Sequence, residues 1–284
     1  MTLLQAVVLG IVQGLTEFLP ISSTAHLRIV PAIFGWNFDF NQAHPHDPGA
    51  PFTAVVQLGT TLAIVIYFWR ELLHVTVAWF RGIFDRTVRN TLEYRLGWYL
   101  ILATIPVSVF GLALSNQIET GARNLWLIAS ALVVMAVVLF AAERVGSRER
   151  SEEEIDTMDA VVVGTAQALS LIPGSSRSGT TIAAGLFRGL DRPTAARFSF
   201  LLSVPAVVLS GCYEAARHID DANGPGAGLT GVAVIFAFAV GLASIAWLMR
   251  WLGQHSTMIF IYYRIVLGLV LFGLLGSGIL DATK

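Results

Sequence analysis

The sequence predicts an all-α polytopic membrane protein with six transmembrane helices, two re-entrant helical hairpins and an inverted-topology repeat. Three observations predict it. First, 55% of the 284 residues are hydrophobic and 13% are charged, with a mean hydropathy of +0.68; soluble domains carry about 25% charged residues. Second, two apolar stretches, 10–26 (GIVQGLTEFLPISSTAH) and 164–181 (GTAQALSLIPGSSRSGTT), are interrupted by proline and carry polar side chains at what would be membrane depth. They align as Gly-x-x-Gln-x-Leu-(Thr/Ser) and then Pro-x-Ser-Ser, with one residue fewer before the second proline. Third, the arginines gather in alternate connecting segments, the mark of loops kept on the cytoplasmic side.

Residues 1–19 are apolar, with Gln13 and Glu17 one turn apart on one helical face. Before Pro20 this run is short for a span, which needs about 20 residues. Ser22 and Ser23 sit where a helix N-cap is expected, and 24–34 forms a second short helix. Two short helices around a polar break read as a re-entrant hairpin, because irregular backbone at membrane depth needs protein or a wet cavity around it. Residues 36–51 are a polar, Pro-rich loop, and 52–69 is the first clear span. The segment 70–95 carries five arginines and is read as a cytoplasmic loop. Spans follow at 97–114 and 124–142, joined outside by 115–123. The Arg- and acid-rich loop 143–159 is cytoplasmic and divides the chain. In the second half, 160–187 is again broken, at Pro173-Gly174, and spans follow at 198–216, 229–249 and 257–276, with 218–228 outside. Twelve arginines (70, 81, 86, 89, 95, 144, 148, 150, 188, 192, 197 and 250) fall inside; Arg123, Arg217 and Lys284 fall outside. The first hairpin opens and closes outside and the second inside. The single membrane domain 1–284 is therefore read as inverted pseudo-repeats 1–142 and 160–277 joined by 143–159. Transporters built this way place broken helices and a binding site near the midplane. The N-terminus lacks a basic n-region and a small-residue cleavage site, so no cleaved signal peptide is expected. The one cysteine, Cys212, allows no intramolecular disulfide and is expected to pack as a small apolar residue.

Glu17 carries the most information. A carboxylate inside a membrane helix costs about 2.5–3.5 kcal/mol on insertion scales, so a cation, a metal or a proton must offset it. A protonated, hydrogen-bonded packing residue is the bland alternative. Gln13 is a second metal ligand or an interhelical hydrogen bond. Ser23 and His26, three residues apart, share a helical face, and a hydroxyl beside an imidazole is the usual activated nucleophile. Ser22 and Thr24 are candidates to touch substrate, although Ser22 serves equally as an N-cap. In the second hairpin, Gly174, Ser175 and Ser176 open a helix whose free N–H groups and positive dipole end suit an anion. Arg177 completes an anion site with a guanidinium matched to phosphate; its alternative is a structural ion pair with Glu17. Ser178 and Thr181 add candidate hydroxyls. Arg28 is expected to reach the interface by snorkelling. His44, His46 and Asp47 form a loose metal-like cluster better read as a solvated loop. His74, His218 and His255 lie at span ends, and Trp69, Trp98 and Trp126 suit an aromatic belt. GxxxxGK[ST], GxGxxG after a strand and HExxH are all absent, and the dispersed arginines exclude a nucleic-acid surface.

GLTEFLPISSTAH and PGSSRSGTT resemble the two signature regions of the bacterial undecaprenyl-diphosphate phosphatases of the bacitracin-resistance type. The stretches 55–72 (VVQLGTTLAIVIYFWREL), 198–207 (FSFLLSVPAV) and 261–264 (IYYR) are similar to other recurring stretches of that family. The resemblance implies an enzyme of the bacterial inner membrane, and the sidedness of the first hairpin suggests a site open to the outer, periplasmic side. It hydrolyses undecaprenyl diphosphate to undecaprenyl phosphate and inorganic phosphate, recycling the lipid carrier of cell-wall synthesis. It also implies a divalent cation, Mg or Ca, at Glu17 and Gln13, and roles in catalysis or substrate binding for Ser23, His26, Ser176, Arg177, Ser178 and Thr181. Some members have Glu at Gln13 and at Thr53, and Gly at Ala25, departures that bear on the metal geometry. Read on the residues, Arg177 binds diphosphate and Ser23, or a water, attacks with His26 as base or acid. A flippase or transporter of the lipid carrier and a non-catalytic lipid-binding protein are the competing classes. Expected partners are the polyprenyl diphosphate and membrane lipid, with a homodimer left open.

Overall fold

The computed structural model describes residues 1–38, 46–114, 124–217 and 226–282, with side chains at all of these except 50 and 211–217. Eleven α-helices account for most of them: α1 (Leu3–Phe18), α2 (Ser23–Phe34), α3 (Gly49–Tyr67), α4 (Trp69–Phe84), α5 (Leu92–Ala113), α6 (Leu125–Val145), α7 (Thr157–Ala168), α8 (Arg177–Phe187), α9 (Arg192–Arg217), α10 (Ala227–Leu252) and α11 (Met258–Gly276). Among the described residues there is no sheet, only one isolated bridge between Arg150 and Leu190. Five helices, α5, α6, α9, α10 and α11, are long and apolar enough to cross a membrane. The pair α3 and α4 passes the same test together but bends by 78° at Phe68, which makes six if the pair counts as one span. His44, the outer segments 115–123 and 218–228 (apart from 226–228), Arg123, His218, the side chains of Cys212 and Arg217, and Lys284 lie outside the described residues.

Two expectations from hydropathy change. The arginine-rich segment after the first span is not a loop: α4 occupies most of it. Its apolar residues Leu73, Val77, Phe80 and Phe84 are exposed at helical spacing while Val75 packs inward, the pattern of an interfacial helix. Hydropathy missed it because an amphipathic helix averages to neutral. The spans also run past their expected ends; α9 begins at Arg192, not 198. Charged residues at helix ends lower a hydropathy window without ending the helix. Several of those charges are structural. Glu143, 2% exposed at the end of α6, accepts from Arg192, from Arg148 at 3.1 Å and from Thr257 Oγ1 at 2.7 Å. Asp159 accepts from Arg150 at 2.7 Å and from Arg188 at 2.7 Å.

Packing is exchanged between the two parts of the chain. Helix α1 lies along α10, and α7 lies along α5; α3 packs on α10 as α9 packs on α5. Both close contacts use a glycine. A Cβ on Gly10 would fall 2.4 Å from the Ala233 carbonyl oxygen, and one on Gly164 would fall 2.4 Å from the Cα of Ala103. A side chain there would force the helices apart. The largest apolar core lies between these layers, with Phe18 of α1 meeting Phe200 of α9 edge-on at 5.7 Å.

Candidate active site

Two breaks in the helices face each other. Helix α1 stops before Pro20, which brings no N–H donor, and α2 starts at Ser23 with Ser22 as its N-cap. Helix α8 starts at Arg177 with Ser176 as its N-cap. Both caps hold φ near +70°, at 75° for Ser22 and 71° for Ser176, a region that non-glycine residues rarely enter and that costs about 1–3 kcal/mol. Each cap oxygen accepts from the backbone N–H three residues on, Ala25 at 3.4 Å and Gly179 at 3.1 Å. Each also shares a hydrogen bond of 3.1 Å with the hydroxyl two residues on, Thr24 or Ser178. The two breaks therefore correspond with Ser22 opposite Ser176, one residue away from the Pro-x-Ser-Ser alignment. In that register Ser23 and Arg177 are equivalent first helical residues.

Glu17, with 5% of its side chain exposed, is where the breaks meet. Its Oε2 accepts from Gln13 Nε2 at 2.9 Å and from the Ser23 hydroxyl at 2.6 Å. Its Oε1 accepts from Gln57 Nε2 at 2.8 Å and from the Arg177 guanidinium. Arg177 reaches it from α8, so the membrane carboxylate is offset by a cation from the other half of the chain. A cavity of about 200 Å³ opens onto this cluster, walled by Glu17, Ser22, Ser23, Thr24, Ser176 and Arg177 among others.

Other expected site residues serve the frame. His26 is 7% exposed and is not part of the cavity wall. Its Nδ1 lies 2.7 Å from the Ser22 carbonyl, which only accepts, so Nδ1 carries the proton. Nε2 is then the acceptor for the Tyr263 hydroxyl, also at 2.7 Å, and the two rings stack. The Ser23 hydroxyl is given to Glu17, so the expected Ser23–His26 pair does not form; three-residue spacing shares a face but does not choose a partner. Ser178 donates to the Leu19 carbonyl at 3.1 Å. Thr181 donates back to the Arg177 carbonyl at 2.7 Å and meets Ser199 at 2.6 Å, the local bonding that hydroxyls inside helices prefer. Gly174 and Ser175 turn their carbonyls away from the cavity, toward Arg264. Arg28 does not snorkel: it is 1% exposed, 3.9 Å from a fully buried Asp47. Asp47 is thus not solvated, and His46 is half-buried.

Three residues of the cluster went unnoticed as individuals in the sequence. Gln57 is a lone amide in an apolar span. Tyr263 looked like one more belt aromatic. Arg264 is an arginine inside the sixth span, and such a residue signals function or structure by default. It is fully buried on α11 and donates to five carbonyls: Pro20 at 3.0 Å, Gly174 at 2.8 Å, Ser175 at 3.1 Å, and Ala131 and Leu132 of α6 at 3.3 and 3.1 Å. One side chain thereby ties both breaks to α6.

Among the described residues no three His, Cys, Asp or Glu gather as a metal cage. The hard oxygens facing the cavity are the Glu17 carboxylate and the Ser23 hydroxyl. Gln13 Oε1 is buried with no hydrogen-bond partner, but the Gln13 amide presents its Nε2 to Glu17, so it would serve as a ligand only after turning over. That set fits a divalent cation of the Mg type, which is typically bound by one or two carboxylates together with substrate phosphates. It does not fit a cation held by protein alone.

A family model described as bacitracin resistance protein BacA matches residues 6–270. The chain is 49% identical over 289 residues to an undecaprenyl-diphosphatase of Mycolicibacterium smegmatis, covering 99% of this chain and 100% of the relative. It is 46% identical over 278 residues to one from Myxococcus xanthus, covering 98% and 91%. It is 45% identical over 319 residues to one from Nocardia farcinica, covering 100% and 99%.

Proposed function

The chain belongs to the bacitracin resistance protein BacA family, and from that footing we propose that it hydrolyses undecaprenyl diphosphate to undecaprenyl phosphate and inorganic phosphate. This activity recycles the lipid carrier of cell-wall synthesis. The relatives just described carry the name of the phosphatase and not of a transporter. The chain is a multi-pass membrane protein. Its finer architecture, in this reading, is six spans with re-entrant hairpins at α1–α2 and α7–α8, in inverted repeats 1–142 and 160–277. The exchanged pairing of α1 with α10 and α7 with α5, and the matched positive-φ caps, support that reading. A bacterial inner membrane is the location the family membership suggests, and the arginine distribution supports a site open to the periplasmic side.

The observation that carries the mechanism is the convergence of Ser23 and Arg177, one from each hairpin, on the Glu17 carboxylate. Arg177 and the N-terminal N–H groups of α2 and α8 bind the terminal phosphate and stabilise charge on it. The Ser23 oxygen attacks the terminal phosphorus and its proton passes to Glu17. The anhydride bond breaks and undecaprenyl phosphate leaves. Water then hydrolyses the phosphoserine, with Glu17 returning a proton to Ser23. Gln13 and Gln57 hold the carboxylate in place. His26, with Nδ1 fixed by the Ser22 carbonyl, orients the cap and does not act on Ser23. A divalent cation entering with the diphosphate would be held by Glu17, with Gln13 Oε1 joining once that amide turns over, and would neutralise charge on the phosphate oxygens. Phosphate release by the purified protein tests the assignment. S23A and R177A should each lose about a hundred- to a thousandfold or more. Near-normal hydrolysis by R177A overturns the site.

A further inference from the structure

A second chamber of about 190 Å³ adjoins the catalytic cavity, and the two share Thr24, Ser170 and Leu171 in their walls. Its charged wall is Arg28, with Thr53 beside it. Thr24 and Arg28 are four residues apart on α2, so one helical face runs from one chamber to the other. The Arg28 side chain is 1% exposed and lies 3.9 Å from the Asp47 carboxylate. It also donates to the His46 carbonyl at 3.2 Å. Asp47 is itself anchored, accepting from the Gly49 N–H at 2.8 Å at the start of α3. The chamber is lined by Arg28, Thr24, Thr53 and Ser170 beside the apolar Ile128, Leu171 and Pro173, and it is too small for a polyprenyl chain. A guanidinium with hydroxyl side chains nearby is the donor set of a phosphate site; the Thr53 hydroxyl is given to the Gly49 carbonyl at 2.8 Å and would have to turn from it. The neighbouring carboxylate competes for the guanidinium, so an oxyanion would be held there only weakly.

We propose that the Arg28 chamber is a second oxyanion subsite that receives inorganic phosphate after it leaves the catalytic cavity. It rests on the phosphatase reading of the Glu17 site. Asp47 sets the affinity low enough for the ion to move on. A lipid monophosphate carries the same chemical group, so the test compares the two. Inhibition of the full-length, detergent-purified enzyme by inorganic phosphate and by a short-chain polyprenyl monophosphate is measured for wild type, D47N and the double variant R28Q/D47N. The double variant removes both charges together. D47N should tighten inhibition by inorganic phosphate about tenfold, and R28Q/D47N should weaken it about tenfold, the factor expected of one charge-assisted hydrogen bond. Inhibition by the lipid monophosphate should stay the same. Equal phosphate inhibition in all three proteins would make the pair purely structural and overturn the subsite. A change confined to the lipid monophosphate would also overturn it, by placing the lipid's phosphate there. If wild type fails to hydrolyse the diphosphate, the phosphatase reading falls instead. Broadening of the inorganic phosphate signal in phosphorus NMR, compared between wild type and R28Q/D47N, still reads the subsite in that case.

Discussion

Replacing Arg264 by leucine removes a buried side chain that donates to carbonyls in both helix breaks. Of its five carbonyl partners, those of Ala131 and Leu132 lie within α6 and keep their helical donors. The carbonyls of Pro20, Gly174 and Ser175 lie in the breaks, and no backbone donor among the described residues reaches them. A buried acceptor stranded in this way costs about 1–3 kcal/mol, so the three together cost about 3–9 kcal/mol. Removing a buried charge returns part of its desolvation cost. R264K separates the two effects, because it keeps the charge and offers only three donors. With that return subtracted, R264L should lose about 3 kcal/mol, a fall in melting temperature of about 6–12 °C on the scale of a 150–250-residue domain. R264K should fall between R264L and wild type. Melting in detergent followed by tryptophan fluorescence measures the loss. Hydrogen exchange at 21–25 and 175–179 shows whether the breaks open first. A leucine variant that melts with wild type and keeps both breaks protected would refute the carbonyl argument.

Two further outcomes follow from other parts of the fold. G10A places a methyl group 2.4 Å from the Ala233 carbonyl oxygen, so overpacking of about 1–3 kcal/mol should exceed the gain of up to about 1 kcal/mol in helix propensity. It should melt below wild type, while G231A, where a Cβ meets nothing within 4 Å, should not; equal behaviour of the two would contradict the tight α1–α10 contact. Glu152, in the loop between the halves, has its carboxyl pushed above the usual range by burial, against the pull of Arg197 and with Glu71 adding to the rise. An acid with a raised folded pKa adds stability below its unfolded pKa, and that stability is lost as pH rises through the folded value. E152Q should therefore raise the melting temperature at pH 7, and the gain should vanish near pH 4; a gain that is constant with pH would rule out this titration.

Much of this arrangement could be read from the residues. Pro20 and Pro173, set in apolar runs with serines behind them, marked the two breaks. The cost of Glu17 in a membrane demanded a cation, and Arg177 supplies it. Ser22 was legible as a cap because capping is local. What failed was partner choice at a distance. Whether Ser23 turns to His26 or Glu17 depends on the rotation of α2 against α1, and no local pattern carries that angle. The same limit hid Arg264, whose partners lie more than 80 residues away in the chain. It also left the register of the two breaks one residue off, because the Pro-x-Ser-Ser alignment pairs Ser22 with Ser175 while the cap is Ser176. Ser22 caps α2 and also walls the cavity, while the Ser178 and Thr181 hydroxyls bond the Leu19 and Arg177 carbonyls.

The partners of Glu17 also impose an order on biosynthesis. As α1 enters the membrane, its carboxylate has only Gln13 and then Ser23 for company. Gln57 arrives later, and the neutralising Arg177 is translated only after the whole first half is inserted. The helix along which α1 lies, α10, comes later still, and the Pro20 carbonyl waits for Arg264 near the end of translation. The α1–α2 segment, made first, is therefore among the last parts to be completed. A chain ending at residue 142 keeps Gln13, Ser23 and Gln57 on the Glu17 carboxylate but lacks its only cationic partner among the described residues, Arg177.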